Sequence, residues 1–218
     1  MLGYYDYTVI LTYLSCVSAG LGIIFSLSGG HPYVGMFFLM ISGLCDAFDG
    51  KVARTKKNRT ENEKKYGIQI DSLSDIVAFG ILPAAIASSM IPSLKIKEGF
   101  ETPLKILLYI IIVLYILAAL IRLAYFNVAE EDRQKKEVGN RKFYEGLPVT
   151  SAALIFPVVL IIRYLSNIDI SIIYYAVMLL TGIAFISPFK VVKPGLKGIL
   201  VMVGIGAVEF ILLMFAIW

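Results

Sequence analysis

Apolar residues run along this chain in blocks of about 20, the length that crosses roughly 30 Å of hydrocarbon as a helix. Seven blocks fall near 8–28, 32–54, 72–92, 104–127, 148–166, 170–188 and 198–218. Backbone groups inside a bilayer find no water, so each block is expected to be helical. The pattern predicts an all-α fold: a polytopic transmembrane bundle of about seven spans, six at the fewest and eight at the most, forming one membrane-embedded domain over residues 1–218. Composition agrees, since 58% of the residues are hydrophobic and only 17% charged, which excludes an ordinary soluble domain.

The polar connections orient the blocks. Lys51, Arg54, Lys56, Lys57, Arg59, Lys64 and Lys65 crowd the second connection, Arg133 to Lys142 bring five more bases to the fourth, and Lys190, Lys193 and Lys197 mark the sixth. The odd connections are poorer, with Lys95, Lys97 and Lys105 in the third and Arg163 at the edge of the fifth. Even connections are therefore expected in the cytoplasm, with the N-terminus inside and the C-terminus outside. Met1 to Tyr7 lacks a basic region, and the first block has the length of a full span, so no cleavable signal peptide is expected. The net charge of +4 reflects this bias and not a nucleic-acid patch. Cys16 and Cys45 fall inside expected spans and read as small core residues. Thr55 to Tyr66 and Glu130 to Tyr144 read as cytoplasmic linkers of mixed charge.

Against this background four carboxylates stand out. Asp46 and Asp49 are three residues apart and Asp71 and Asp75 four apart, so each pair shares one helical face at the cytoplasmic end of its span. Four converging carboxylates repel one another by several kcal/mol, at about 4 kcal/mol per close pair for an effective dielectric near 20. Divalent cations with a preference for hard oxygen ligands, Mg²⁺ or Mn²⁺, remove that penalty, and two of them bring four negative charges near neutrality. The bland alternative is a set of unrelated carboxylates facing water. The neighbours argue against it: Gly50 follows Asp49, Ala53 and Arg54 come a turn later, and Gly67 lies four residues before Asp71. Small residues leave room for a ligand, and an arginine offers a fork for phosphate. Carboxylates, metal and a phosphate-binding arginine together describe a phosphoryl-transfer site.

The stretches "DAFDGKVAR" and "GIQIDSLSD" carry Asp-x2-Asp-Gly-x2-Ala-Arg and Gly-x3-Asp-x3-Asp. In this the chain resembles the membrane-embedded CDP-alcohol phosphotransferases, at Asp46, Asp49, Gly50, Ala53, Arg54, Gly67, Asp71 and Asp75. The spacer Thr55 to Tyr66 has twelve residues where the family usually has eight or nine, an insertion that loop entropy tolerates. "DSLSDIVAFGILPA", "IRLAYFNV" and "FYEGLPVTSAA" are similar to the regions that set membrane-embedded phosphatidylserine synthases apart within the family. "LTYLS" loosely resembles the start of the family's first helix, with Thr12 matching and Ser15 where Asn is common. The resemblance implies attack of the L-serine hydroxyl on the lipid-side phosphorus of CDP-diacylglycerol or CDP-archaeol, releasing CMP. It implies that Asp46, Asp49 and Asp71 hold the metals and that Asp75 is the general base with possible metal contact of its own. Gly50, Ala53, Arg54, Gly67 and Thr12 would line the CDP-lipid, homodimers of the chain would sit in the cell membrane, and the active site would lie near the cytoplasmic face.

Arg122, near the cytoplasmic end of the fourth block, is costly there unless paired, snorkelling or solvated. Recognition of the serine carboxylate is the reading favoured for it, with Asn127 as a weaker candidate. Gly146, Leu147 and Pro148 are expected to start the fifth helix, with the proline in its first turn. His31 lies in a turn far along the second block from the aspartates, and Glu209 is an isolated acid in the last block without an evident partner. Two rival functions remain at this stage: transfer to a glycerol-phosphate or inositol-phosphate acceptor, for which Arg133 or Arg141 could add basic charge, and an intramembrane divalent-cation transporter.

Overall fold

The structure, a computed structural model, describes residues 3–94, 99–136, 143–166, 169, 171–192 and 195–217. Helix α1 (Ile10–Gly29) closes on Gly30, whose φ of 62° is the left-handed conformation that glycine adopts without a steric cost. Helix α2 (Pro32–Ala53) then opens with proline in its first turn, so the two helices fold back on each other through a minimal turn. Their seam is lined by small residues. Ser42 Oγ donates to the Ser15 carbonyl at 3.0 Å while Ser15 Oγ donates to the Ser42 carbonyl at 3.4 Å, and Ser18 Oγ donates to the Phe38 carbonyl. A β-carbon on Gly35 would run into the Ser26 hydroxyl, which is how helices pack where lipid supplies no hydrophobic drive.

The third rod is α3 (Glu61–Asp75), a π-helical stretch (Ile76–Ile81), α4 (Leu82–Met90) and a final 3₁₀ turn (Ile91–Ser93). It begins at Glu61 and not near 72, because Thr60 and Glu63 form a capping box: Glu63 N donates to Thr60 Oγ1 at 3.2 Å and Thr60 N to Glu63 Oε2 at 2.7 Å. The expected loop over Thr55–Tyr66 is thus helical from Glu61 onward. Pro83 has no N–H for the Phe79 carbonyl one turn before it. Tyr115 takes that carbonyl instead, its hydroxyl donating at 2.6 Å, and the widened π turn follows Asp75 directly. Tyr174 and Tyr175 hydroxyls donate in the same way to the carbonyls of Pro83 and Ala87. Tyr115→Phe would leave a buried carbonyl unpaired and is expected to cost about 1–3 kcal/mol; a lowered melting temperature in detergent checks it.

Helix α5 (Glu101–Lys136) runs past both ends of its expected span, so the presumed linker from Glu130 is helical as far as Lys136. Arg141 lies outside the described residues. Strand β1 (Phe143–Glu145) pairs antiparallel with β2 (Lys190–Val192), Tyr144 opposite Val191. The fifth helix does not start at Gly146. Gly146 turns at φ 72°, with no room for a β-carbon beside the Phe185 carbonyl, and Pro148 is extended ahead of a 3₁₀ turn (Val149–Ser151) and α6 (Ala152–Ser166). Helices α7 (Ser171–Ile186) and α8 (Leu196–Ile217) complete the bundle.

Among the described residues six helices are long and apolar enough to cross a membrane, and α7 is a shorter apolar helix. The chain is an integral membrane protein of all-α, polytopic design. The rod from α3 to α4 is its axis: Ala78, Phe79, Leu82 and Ile86 are fully buried against Met36 and Leu39 of α2, Tyr115 of α5 and Tyr174 of α7. The outer faces of α1, α5 and α8 expose rows such as Leu14, Val17 and Leu21, or Ile106, Ile110 and Val113, suited to lipid.

Candidate active site

The four aspartates come from two helices that meet at one end of the bundle. One carboxylate oxygen each from Asp46, Asp49 and Asp71 lies within 4.8 Å of the others. Asp75 stands outside that trio, buried one turn further along α3 where the π turn begins, beside Asp46. Asp71 is placed in the same way against Asp49. The i,i+3 and i,i+4 spacings supply each pair, and the packing of α2 against the third rod brings the pairs together.

Two oxygens on opposite sides of one divalent ion stand about 4 to 5 Å apart. Three carboxylates within that reach fit such an ion, and hard oxygen donors without thiol or imidazole are the set that Mg²⁺ and Mn²⁺ take.

The expected ligand-lining residues divide. Arg54, at the C-terminal end of α2, folds back so that Nη1 lies 3.5 Å from where a β-carbon of Gly50 would be. Ala53 precedes it on the same helix. Gly67 is covered by a guanidinium that the sequence did not single out, that of Arg59, whose Nη2 lies 2.6 Å from the position of a Gly67 β-carbon. Thr12 is buried, and its hydroxyl is engaged with the cluster itself, donating to Asp49 Oδ2 at 3.2 Å. Ser74 Oγ donates to the Thr12 carbonyl, so α1 clasps both acidic helices.

Contacts between residues far apart in sequence hold the α2–α3 connection. Lys56 Nζ lies 2.7 Å from both Asp6 Oδ2 and Glu63 Oε1. The Lys56 ammonium beside it holds the Asp6 carboxyl down at about 2, so Asp6 is ionised at any physiological pH. Tyr13 donates to or accepts from the Tyr66 hydroxyl at 2.8 Å, and Tyr4 lies against the Tyr66 ring at 5.1 Å. None of this has a signature in periodicity; a lone Asp6 near a basic connection was the only available hint.

Arg122 is buried, not snorkelling. Its Nε donates to the Leu147 carbonyl at 3.2 Å and its guanidinium lies 5.2 Å from the Phe126 ring centre. The segments around Arg122 and Gly146, widely separated in sequence, therefore form one wall. Asn127 joins the acidic helix, its Nδ2 donating to Ser72 Oγ, next to Asp71, at 2.7 Å. His31 lines a cavity of about 330 Å³ with Tyr33, Met90 and Arg163 that contains none of the four aspartates. Glu209 is buried in α8, and its Oε2 has no hydrogen-bond partner among the described residues.

A family model described as CDP-alcohol phosphatidyltransferase matches residues 8–187. Among curated proteins, the chain is 36% identical over 143 residues to the CDP-diacylglycerol–serine O-phosphatidyltransferase of Saccharomyces cerevisiae, covering 64% of this chain and 46% of that protein. It is 28% identical over 171 residues to the archaetidylserine synthase of Methanothermobacter thermautotrophicus, covering 78% and 64%. A Mycobacterium tuberculosis CDP-diacylglycerol–serine O-phosphatidyltransferase is 27% identical over 144 residues, 66% of this chain and 45% of that one. The chain thus spans about half the length of several curated relatives it matches.

Proposed function

Because the chain belongs to the CDP-alcohol phosphatidyltransferase family, we propose that it transfers the phosphatidyl or archaetidyl group of a CDP-linked lipid to the hydroxyl of L-serine, releasing CMP. The observation that carries this is the gathering of Asp46, Asp49 and Asp71 within 4.8 Å, with Asp75 buried beside Asp46. Serine as acceptor is supported by the names of the relatives in yeast and Methanothermobacter.

In this reading the serine oxygen bonds to the lipid-side phosphorus, and the bond from that phosphorus to the bridging oxygen breaks. CMP departs with that oxygen, and the serine proton passes to Asp75, a carboxylate suited to activate a weak nucleophile. Asp46, Asp49 and Asp71 would hold divalent ions, Mg²⁺ or Mn²⁺ and two in number, which supply polarisation of the diphosphate and neutralise its charge. Thr12 orients the Asp49 carboxylate. Gly50, Ala53 and Arg54 bind the nucleotide half at the end of the cluster where Gly67 lies under Arg59, and Arg122 and Asn127 form the acceptor wall. The basic connection from Lys51 to Lys65 supports a reading in which this end of the bundle faces the cytoplasm across the cell membrane, with the N-terminus inside, and a homodimer is what the family resemblance implies.

The test is CMP release and lipid product from the purified chain with CDP-diacylglycerol or CDP-archaeol and a panel of L-serine, glycerol phosphate and inositol phosphate, with and without Mn²⁺. Release dependent on serine supports the reading; release only with a phosphorylated acceptor overturns it.

Arg122→Lys probes the acceptor wall. Lysine keeps the charge but loses the planar fork that fits a carboxylate. The KM for serine is expected to rise about ten-fold, equivalent to about 1.4 kcal/mol, with CDP-lipid binding within two-fold of about its original value. A defect confined to CDP-lipid binding would refute the assignment.

A further inference from the structure

The two glycines at the site are not open space. Each lies beneath a guanidinium: Arg54 over Gly50 at ordinary contact distance, and Arg59 over Gly67 so closely that a β-carbon there would push the guanidinium aside. Arg54 was expected from the sequence. Arg59 comes from the connection between α2 and α3 and precedes the helix cap Thr60.

The bonding of Arg59 is incomplete for a half-buried cation. Nη2 donates to the Glu63 carbonyl at 3.1 Å, and the buried Nε has no partner. Among the described residues no carboxylate forms an ion pair with it, since Glu63 is committed to Lys56 and Thr60. A guanidinium carries five N–H donors in a fixed plane. A cation with so few of its donors engaged is poorly compensated, and an anionic oxygen reaching the guanidinium would improve that.

Its place defines what that anion is. Gly67, Asp71 and Asp75 follow at i, i+4 and i+8 along one face of α3. Gly67, with the Arg59 guanidinium above it, therefore lies one turn, an axial rise of about 6 Å, before Asp71 on the side away from Asp75. A substrate whose reacting phosphorus is served by Asp75 would lay its leaving half toward Gly67. We propose that Arg59 is a nucleotide-binding residue, its guanidinium gripping phosphate oxygens of the CMP half of the CDP-lipid and of the CMP product. This rests on the function proposed above. It also explains Gly67 physically: any side chain there would displace the arginine from its seat. The twelve-residue spacer then contributes to the site by delivering this cation.

The test uses the purified full chain with Mn²⁺ and CMP as the probe, measured by calorimetry, beside KM values for CDP-diacylglycerol and L-serine. Arg59→Gln is expected to weaken CMP binding and raise the CDP-diacylglycerol KM by about ten- to a hundred-fold, the range of a hydrogen bond to a charged group. Arg59→Lys should restore part of this, because it keeps the charge without the fork. The serine KM should stay within about two-fold, a split that general loosening of the loop would not produce. Unchanged CMP affinity in both variants, or a defect confined to serine, would overturn the assignment. If the glutamine variant does not fold, the lysine variant decides alone: weaker CMP binding supports Arg59 and unchanged binding refutes it. Wild-type protein that binds neither CMP nor CDP-diacylglycerol would instead overturn the proposed function, and this inference with it.

Discussion

Asp46→Asn, Asp49→Asn and Asp71→Asn are each expected to lower metal-dependent CMP release on the order of a thousand-fold, about 4 kcal/mol of barrier, while the protein still inserts and folds. An amide has nearly the volume of a carboxylate but carries no charge, so the packing of α2 on the third rod survives. What is lost is one of three hard anionic oxygens lying within 4.8 Å. Their mutual repulsion is unfavourable without a cation, so each substitution should also preserve or raise the melting temperature of the metal-free protein. Mn²⁺ binding followed by electron paramagnetic resonance, beside turnover, makes the check. Near-normal activity and Mn²⁺ affinity in all three purified variants would sink the metal site.

Asp75→Asn is expected to act differently. Single-turnover CMP release should fall by about a hundred- to ten-thousand-fold, the usual contribution of a positioned general base, with CDP-lipid affinity within about two-fold. The geometric ground is that Asp75 lies outside the trio, buried beside Asp46 at the start of the π turn. Proton removal from serine belongs to the transition state, whereas nucleotide recognition does not involve it. Binding and single-turnover release are measured on the same preparation. Turnover at the wild-type rate would exclude an essential base; loss of both binding and turnover would make Asp75 a metal ligand instead.

The aspartate pairs were legible because helical periodicity is local: residues three or four apart share a face whatever surrounds them. The helix ends were less so. Glu61 starts α3 through a capping box that "TENE" spells out, yet the charge-rich composition of Thr55 to Tyr66 equally fits a solvated loop. Helix α5 continues to Lys136 because hydropathy measures the slab and not the helix, which is free to project into water. Pro148 was placed inside a helix for its fixed φ, but the left-handed turn at Gly146, held by the Phe189 carbonyl, keeps that segment extended.

Arg122 shows the same boundary in the site. Its position near a helix end was compatible with snorkelling, and only the arrival of Leu147 from another segment shows where the guanidinium goes. Thr12 was assigned to the ligand by resemblance, while the packing of α1 on α2 commits its hydroxyl to Asp49.

By itself, then, the sequence determined the membrane spans, the all-α class and the two acidic faces, since hydrocarbon thickness and the 3.6-residue turn act over a few consecutive residues. Tertiary structure alone decided that Asp71 meets Asp49, that Tyr115 takes the carbonyl Pro83 cannot bond, and that Arg59 covers Gly67. Those partners are chosen by which helices pack and how closely, and no spacing along the chain encodes the distance between two side chains that meet across a bundle.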